Sequence, residues 1–118
     1  MWEVEYTDQF GAWFDGLDEG AQDGVAAAVK VLAERGPGLG RPFVDTVRGS
    51  RHQNMKEPRP LVGHLRVLFA FDPRRMAILL LGGDKSGRWQ QWYAEMIPMA
   101  DDLYDEHLAT LQREGLLP

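Results

Sequence analysis

The stretch from Leu65 to Leu81 constrains the fold most. Leu65, Val67, Phe69 and Phe71 alternate with Arg66, Leu68 and Ala70, the period of a β-strand. Asp72-Pro73-Arg74-Arg75 follows, with proline at the turn position that its fixed φ favours. Met76 to Leu81 is then apolar at every position, as a strand in the middle of a sheet should be. The rest of the chain has to supply the neighbours of this hairpin.

Upstream, Trp2-Glu3-Val4-Glu5-Tyr6 alternates apolar and acidic side chains and predicts a first strand. Thr7 or Asp8 can cap a helix whose Phe10, Trp13, Phe14 and Leu17 form one apolar stripe, fraying at Gly16. Asp18 can cap a second helix carrying Val25, Ala28, Val29 and Leu32, which Gly36-Pro37 stops. Gly36 to Arg51 has no sustained period and predicts a long loop. His52 to Glu57 predicts a short strand with His52, Asn54 and Lys56 on one face, and Pro58 confines it to an edge or a strand end. Gly82 to Gly87 predicts a flexible loop. Trp89, Trp92 and Tyr93 fall in a short helix or an irregular segment. A last helix is predicted to start near Pro98, with Asp101 and Asp102 at its positive end. It carries Leu103, Tyr104, His107, Leu108 and Leu111 and closes at Gly115. The expected fold is a single α+β domain over residues 1–118. It has a small, mostly antiparallel sheet of about four strands, an N-terminal helical hairpin on one face and a C-terminal helix.

The chain has no cysteine, so thiolate catalysis, disulfides and cysteine-based zinc sites are excluded. Neither the opening residues nor any apolar run predicts a signal peptide or a membrane span, and a cytoplasmic protein is expected. The net charge of -5 alone speaks against nucleic acid, but the charge is segregated. Residues 1–40 hold eight acids and two bases, residues 41–88 four acids and ten bases, and residues 89–118 six acids and one base. A local positive field can attract phosphate because solvent screens the remote acids over about 8–10 Å. No metal-ligand cluster is visible, and Gly82-Gly83 lacks the spacing of a phosphate-binding glycine loop.

The two-helix opening, Lys56-Glu57-Pro58-Arg59, Leu65-Arg66-Val67-Leu68-Phe69 and Gly82-Gly83-Asp84-Lys85 follow one another as in toxins of the RelE/HigB class. Trp92-Tyr93-Ala94-Glu95, Pro98 and Leu103-Tyr104-Asp105-Glu106-His107-Leu108 are similar to the C-terminal pattern of its phage-derived HigB branch. The resemblance implies a RelE-like fold and the toxin of a type II toxin-antitoxin system. It further implies an mRNA interferase, a ribosome-dependent endoribonuclease that inhibits translation, without metal or cofactor, by attack of a 2′-hydroxyl on the adjacent phosphate. The implied partners are a cognate helix-turn-helix, HigA-like antitoxin, the ribosome and mRNA, with no membrane. Two alternatives remain open here: a gyrase-inhibiting toxin of the ParE branch, and a catalytically inactive antitoxin-binding module.

Such a site needs a proton acceptor, positive charge for the phosphate and a proton donor. Arg66 matches the family's strand arginine, suited to phosphate by its planar fork. Lys85 lies where the family has a basic residue after the last strand. Tyr93 aligns with a family tyrosine and would serve as base if nearby cations lowered its pKa. His52 is an alternative proton carrier. Lys56 and Arg59 would contact phosphates, with Arg51, Arg74, Arg75 and Arg88 as a background RNA-binding surface. Trp89 and Trp92 invite base stacking or core packing. Two features depart from the family: Pro58 stands where relatives have an aliphatic residue, and the chain is acidic. Pro58 would displace Lys56 and Arg59.

Overall fold

The computed structural model describes residues 1–59 and 63–118. Strand β1 (Val4–Tyr6) leads into helices α1 (Asp8–Asp15) and α2 (Glu19–Arg35), and a short 3-10 turn covers Gly36–Gly38. Strands β2 (Val44–Thr46), β3 (Lys56–Pro58), β4 (Leu65–Phe71) and β5 (Ala77–Asp84) follow, and helix α3 (Trp89–Arg113) ends the fold. The sheet order is β1-β5-β4-β3-β2, with β1 parallel to β5 and the other pairs antiparallel.

The Leu65–Leu81 hairpin is the middle of this sheet, as its pattern requires. Val67, Phe69, Ala77 and Leu79 face α1 and α2, where they pack with Phe10, Val25 and Leu32. Leu68, Ala70, Ile78, Leu80 and Leu81 face α3, where they pack with Trp92, Ile97, Ala100 and Tyr104. Each large apolar side chain fully buried in this way contributes about 1.5–3 kcal/mol. The all-apolar first part of β5, Ala77 to Leu81, thus follows from helices on both faces. A register irregularity sets Leu68 opposite Leu81 but Phe69 opposite Leu79, so Leu80 is the extra residue and the alternation of β5 shifts by one.

That shift explains Gly82 and Gly83, which continue β5 rather than opening a loop. A Cβ on Gly82 would lie 2.1 Å from the Trp13 ring, and one on Gly83 would lie 2.4 Å from Trp92 Nε1. The two glycines therefore let one indole from α1 and one from α3 rest on opposite faces of the same strand.

Both expected N-caps form. Thr7 Oγ1 accepts the Phe10 amide at 3.0 Å and donates to the Leu80 carbonyl at 2.7 Å, tying α1 to β5. Asp18 Oδ1 accepts the Ala21 amide at 2.8 Å.

Three local expectations are corrected. The Gly36–Arg51 loop contains β2, a three-residue strand too short for its period to be read, so the sheet has five strands. Residues 51–54 form turns, and β3 is confined to Lys56–Pro58. Pro58 ends that strand opposite Val44, and with no N–H to give β4 it leaves Lys56–Phe69 as the β3–β4 pair among the described residues. Helix α3 starts at Trp89, and Pro98 lies inside it. Pro98 is exposed, so the carbonyl it leaves free can meet water. Asp101 and Asp102 are therefore mid-helix. Asp101 is buried and accepts the Ser50 hydroxyl and the Arg51 amide, which hooks the 50–52 turn onto α3. No helix among the described residues is long and apolar enough to cross a membrane.

Candidate active site

Strand alternation sends Glu57 toward α3 and Lys56 and Pro58 the other way, so Pro58 lines an apolar pocket with Ala28, Leu32 and Phe43. Glu57 is 4% exposed, and its carboxylate is held from two sides. Tyr93 Oη donates to Oε2 at 2.7 Å and Arg59 Nη2 donates to Oε1 at 2.7 Å. A buried carboxylate needs this pairing, because stranding one costs several kcal/mol. Beyond Arg59 the charges continue to alternate: Asp45 lies 3.8 Å from Arg59 Nε and 3.1 Å from Arg41 Nη2.

Lys85 follows β5, and its amide donates to the His64 carbonyl at 3.0 Å. Its ammonium sits 5.7 Å from the Tyr93 ring centroid and 5.9 Å from that of Trp89. Burial, reinforced by repulsion from Arg66 and Arg59 and opposed by Glu57, holds the Lys85 pKa below the ordinary lysine value. Arg41, Asp45, Glu57, Arg59, Lys85, Trp89 and Tyr93 together line an open cavity of about 360 Å3.

The Tyr93 hydroxyl behaves differently from the expectation. Burial, then its bond to Glu57 and the charge of that carboxylate, push its pKa up to about 12, outweighing Arg66 and Arg59. The cations are close, as expected, but Glu57 reverses their effect. In this arrangement Tyr93 is a proton donor rather than a free phenolate base. Sequence reasoning missed Glu57. The available signal was its parity with buried Met55, which puts a lone acid on the inward side of the most basic segment.

Arg66 projects from the α3 side of β4, opposite Gly83. Its Nη1 donates to the carbonyls of Leu65 at 2.6 Å and Gly63 at 3.3 Å, and it has no carboxylate partner among the described residues. It does not line the cavity, but its charge acts on both Lys85 and Tyr93.

The other expected residues do not line the cavity. His52 Nε2 is 2.7 Å from Asp105, twelve residues beyond Tyr93 and so about 18 Å along the helix. Arg51 pairs with Asp102 and Asp105 at 3.0 and 2.6 Å. Arg74 pairs with Asp72 at 2.9 Å and Glu5 at 3.1 Å, and exposed Arg75 follows it in the turn before β5. That turn lies about 25 Å from Lys85, the length of β5. Arg88 pairs with Glu95 at 3.0 Å, and Lys56 reaches Thr46 Oγ1 at 3.4 Å. His52, Arg51, Arg74 and Arg75 are thus apart from the Lys85–Tyr93 cluster, whereas Arg88 and Lys56 adjoin it, the Arg88 amide donating to the Lys85 carbonyl at 3.2 Å. Three bases of the positive segment, Arg51, Arg74 and Arg88, pair with acids from the two acidic ends, while Arg41 and Arg59 pair within the segment. Trp92 is packed on Gly83, whereas Trp89 is 55% exposed at the cavity rim.

A family model described as phage derived protein Gp49-like (DUF891) matches residues 12–105. The protein named "Putative toxin HigB2" from Mycobacterium tuberculosis is 54% identical over 109 residues, which are 90% of this chain and 54% of that protein. The chain therefore spans about half the length of that relative. "Putative toxin HigB3" from the same organism is 50% identical over 102 residues, 86% of this chain and 90% of that protein. Among solved structures, the isolated E. coli RelE toxin matches with a TM-score of 0.60 at 8% identity, over 81% of this chain and 99% of RelE. A chain of the archaeal RelE-RelB complex from Pyrococcus horikoshii OT3 matches with a TM-score of 0.56 at 14% identity, over 73% and 97%. At such identities the likeness speaks for the fold alone. The family match and the two close relatives place the chain in the phage-derived Gp49-like family, among HigB-like proteins built on the RelE fold.

Proposed function

We propose that the protein is the toxin of a type II toxin-antitoxin pair and acts as a ribosome-dependent mRNA endoribonuclease that inhibits translation without a metal. The names of its relatives support the toxin part. The observation that carries the chemical part is the cavity in which Lys85 and Arg59 flank the Tyr93–Glu57 couple, with Arg66 adding its field.

In this reading an unpaired stretch of mRNA enters the cavity with its scissile phosphate against Lys85. The 2′-hydroxyl gives its proton to Tyr93 Oη as Tyr93 passes its own proton to Glu57, so no free phenolate is needed. The 2′-oxygen forms a bond to phosphorus, and the bond to the 5′-oxygen breaks. Lys85 protonates that leaving oxygen, which its lowered pKa favours. The products are a 2′,3′-cyclic phosphate and a 5′-hydroxyl, and solvent returns Glu57 and Lys85 to their starting states. Arg59 holds Glu57 in place, while Arg66 and Arg59 offset the charge that builds on the phosphate. The partners in this reading are a cognate HigA-like helix-turn-helix antitoxin, the ribosome and mRNA.

Primer extension on a reporter transcript in expressing cells tests this. Cuts are expected only when the transcript is translated, and co-expressed antitoxin should abolish them. Growth arrest with a DNA-damage response and no cuts would overturn the reading in favour of a gyrase inhibitor. Absence of any toxicity would overturn it in favour of an inactive binding module.

A further inference from the structure

The sequence holds four tryptophans. Three of them rest on a glycine: Trp2 on Gly36, Trp13 on Gly82 and Trp92 on Gly83, each filling the space of the missing Cβ. Trp89 has no such seat. It is 55% exposed and lines the cavity beside Lys85, whose ammonium lies 5.9 Å from its ring centroid. Trp89 and Tyr93 are one turn apart on the same face of α3, about 5–6 Å between Cβ atoms. That step is comparable to the distance between neighbouring nucleotides in an unstacked single strand. Lys85 lies against both rings, so a phosphate held by it would have an aromatic face on either side.

We propose that Trp89 is a base-binding platform, on which the nucleobase next to the scissile phosphate stacks, and that it gives the enzyme a preference for a purine there. This rests on the reading of the cavity as an RNA site. An indole offers a large, flat and sequence-tolerant surface, and a purine covers more of it than a pyrimidine. The position of Trp89 at the cavity rim, rather than in either core, is what the stacking role requires.

The test uses ribosomes programmed with short synthetic mRNAs that carry a purine, a pyrimidine or an abasic nucleotide beside the cut. Trp89→Ala is expected to slow cleavage of the purine substrate about tenfold to a hundredfold, and Trp89→Phe should fall between. The abasic substrate should already be cleaved slowly by the wild-type protein, with no further loss in Trp89→Ala. Unchanged cleavage by Trp89→Ala, or losses that multiply, would overturn the proposal. So would unchanged cleavage with weakened antitoxin neutralisation, which would assign Trp89 to the protein partner.

A binding measurement separates this proposal from the proposed activity. The emission lost between wild type and Trp89→Phe isolates Trp89. An oligoribonucleotide should quench it, and the same oligomer with abasic positions should not. Quenching by a wild-type protein that cleaves nothing would sink the nuclease reading and leave the platform standing. Equal quenching by both oligomers, or by neither, would sink the platform.

Discussion

Lys85→Ala is expected to lower the rate of transcript cleavage about 10²–10³-fold, the scale on which a single preorganised charge acts in a transition state. Stability should change little, because Lys85 lies in a loop, forms no ion pair among the described residues and anchors its segment through its backbone amide. Lys85→Arg separates charge from proton transfer, since a guanidinium holds phosphate but does not give up its proton in the accessible pH range. The wild-type rate should fall as pH rises through the lowered Lys85 pKa, hence below the 10.5 of an ordinary lysine. That alkaline limb should vanish in Lys85→Arg, with binding retained and the rate still depressed. Pre-steady-state cleavage on programmed ribosomes across pH checks this. An unchanged limb in the arginine variant would remove Lys85 as the proton donor.

Asp72→Ala is expected to destabilise the fold by about 3–5 kcal/mol, the cost of breaking a buried ion-pair network by removing one partner. Asp72 is 4% exposed and closes the β4–β5 turn. It accepts the Arg74 amide at 2.8 Å and the Met76 amide at 3.2 Å, and pairs with the Arg74 side chain. His107 Nε2 lies 2.8 Å away, so the same carboxylate fastens α3 to the central hairpin. Burial raises its pKa, but the bonds from His107, Arg74 and Met76 outweigh burial and leave it lowered. A lowered native pKa means stability that is present in full above the ordinary value of 3.8 and is lost as pH falls through the native value. Thermal melts should show Asp72→Ala more than about 10 °C below wild type near neutrality. The gap should narrow on acidification below the ordinary carboxylate range. A gap independent of pH would show that Asp72 acts through packing rather than charge.

The fold was legible in the sequence wherever a period ran for more than about five residues. The β4–β5 hairpin, the stripes of α1 and α2, and both N-caps stand where their patterns put them. The failures have local causes. Three residues of β2 are too few to show alternation. Pro98 signals a helix start, but one exposed carbonyl is a small loss in a helix buried on its other face by Trp92, Ile97, Ala100 and Tyr104. Gly82-Gly83 signals a loop because each glycine's reason here is a tryptophan on another element, Trp13 of α1 or Trp92 of α3.

The site was half legible. Lys85, Arg59 and Tyr93 meet at one cavity, and Arg66 acts on it through its field. Glu57 was hidden because an acid in a basic segment reads as a solvated charge until its parity shows that it is buried. Arg51, Arg74 and Arg88 show what linear charge alone hides. Their clustering in sequence suggested one electrostatic surface, but each folds onto acids from elsewhere in the chain. Linear charge segregation here reflects both uses: Arg51, Arg74 and Arg88 pair with the acidic ends, while Arg41, Arg48, Arg59 and Lys85 of the same segment line the cavity.

The central claim is that the Tyr93–Glu57 couple moves the proton of a 2′-hydroxyl. Its most direct test is the cleavage of a defined mRNA on purified ribosomes, with the chemistry of the new ends determined for wild type, Tyr93→Phe, Glu57→Gln and the double variant. The account predicts 2′,3′-cyclic phosphate and 5′-hydroxyl ends, a large loss of rate in each single variant, and a double variant no slower than the slower single one, since the two groups act as a unit. Fragments ending in a 5′-phosphate, or full activity in both single variants, would contradict it.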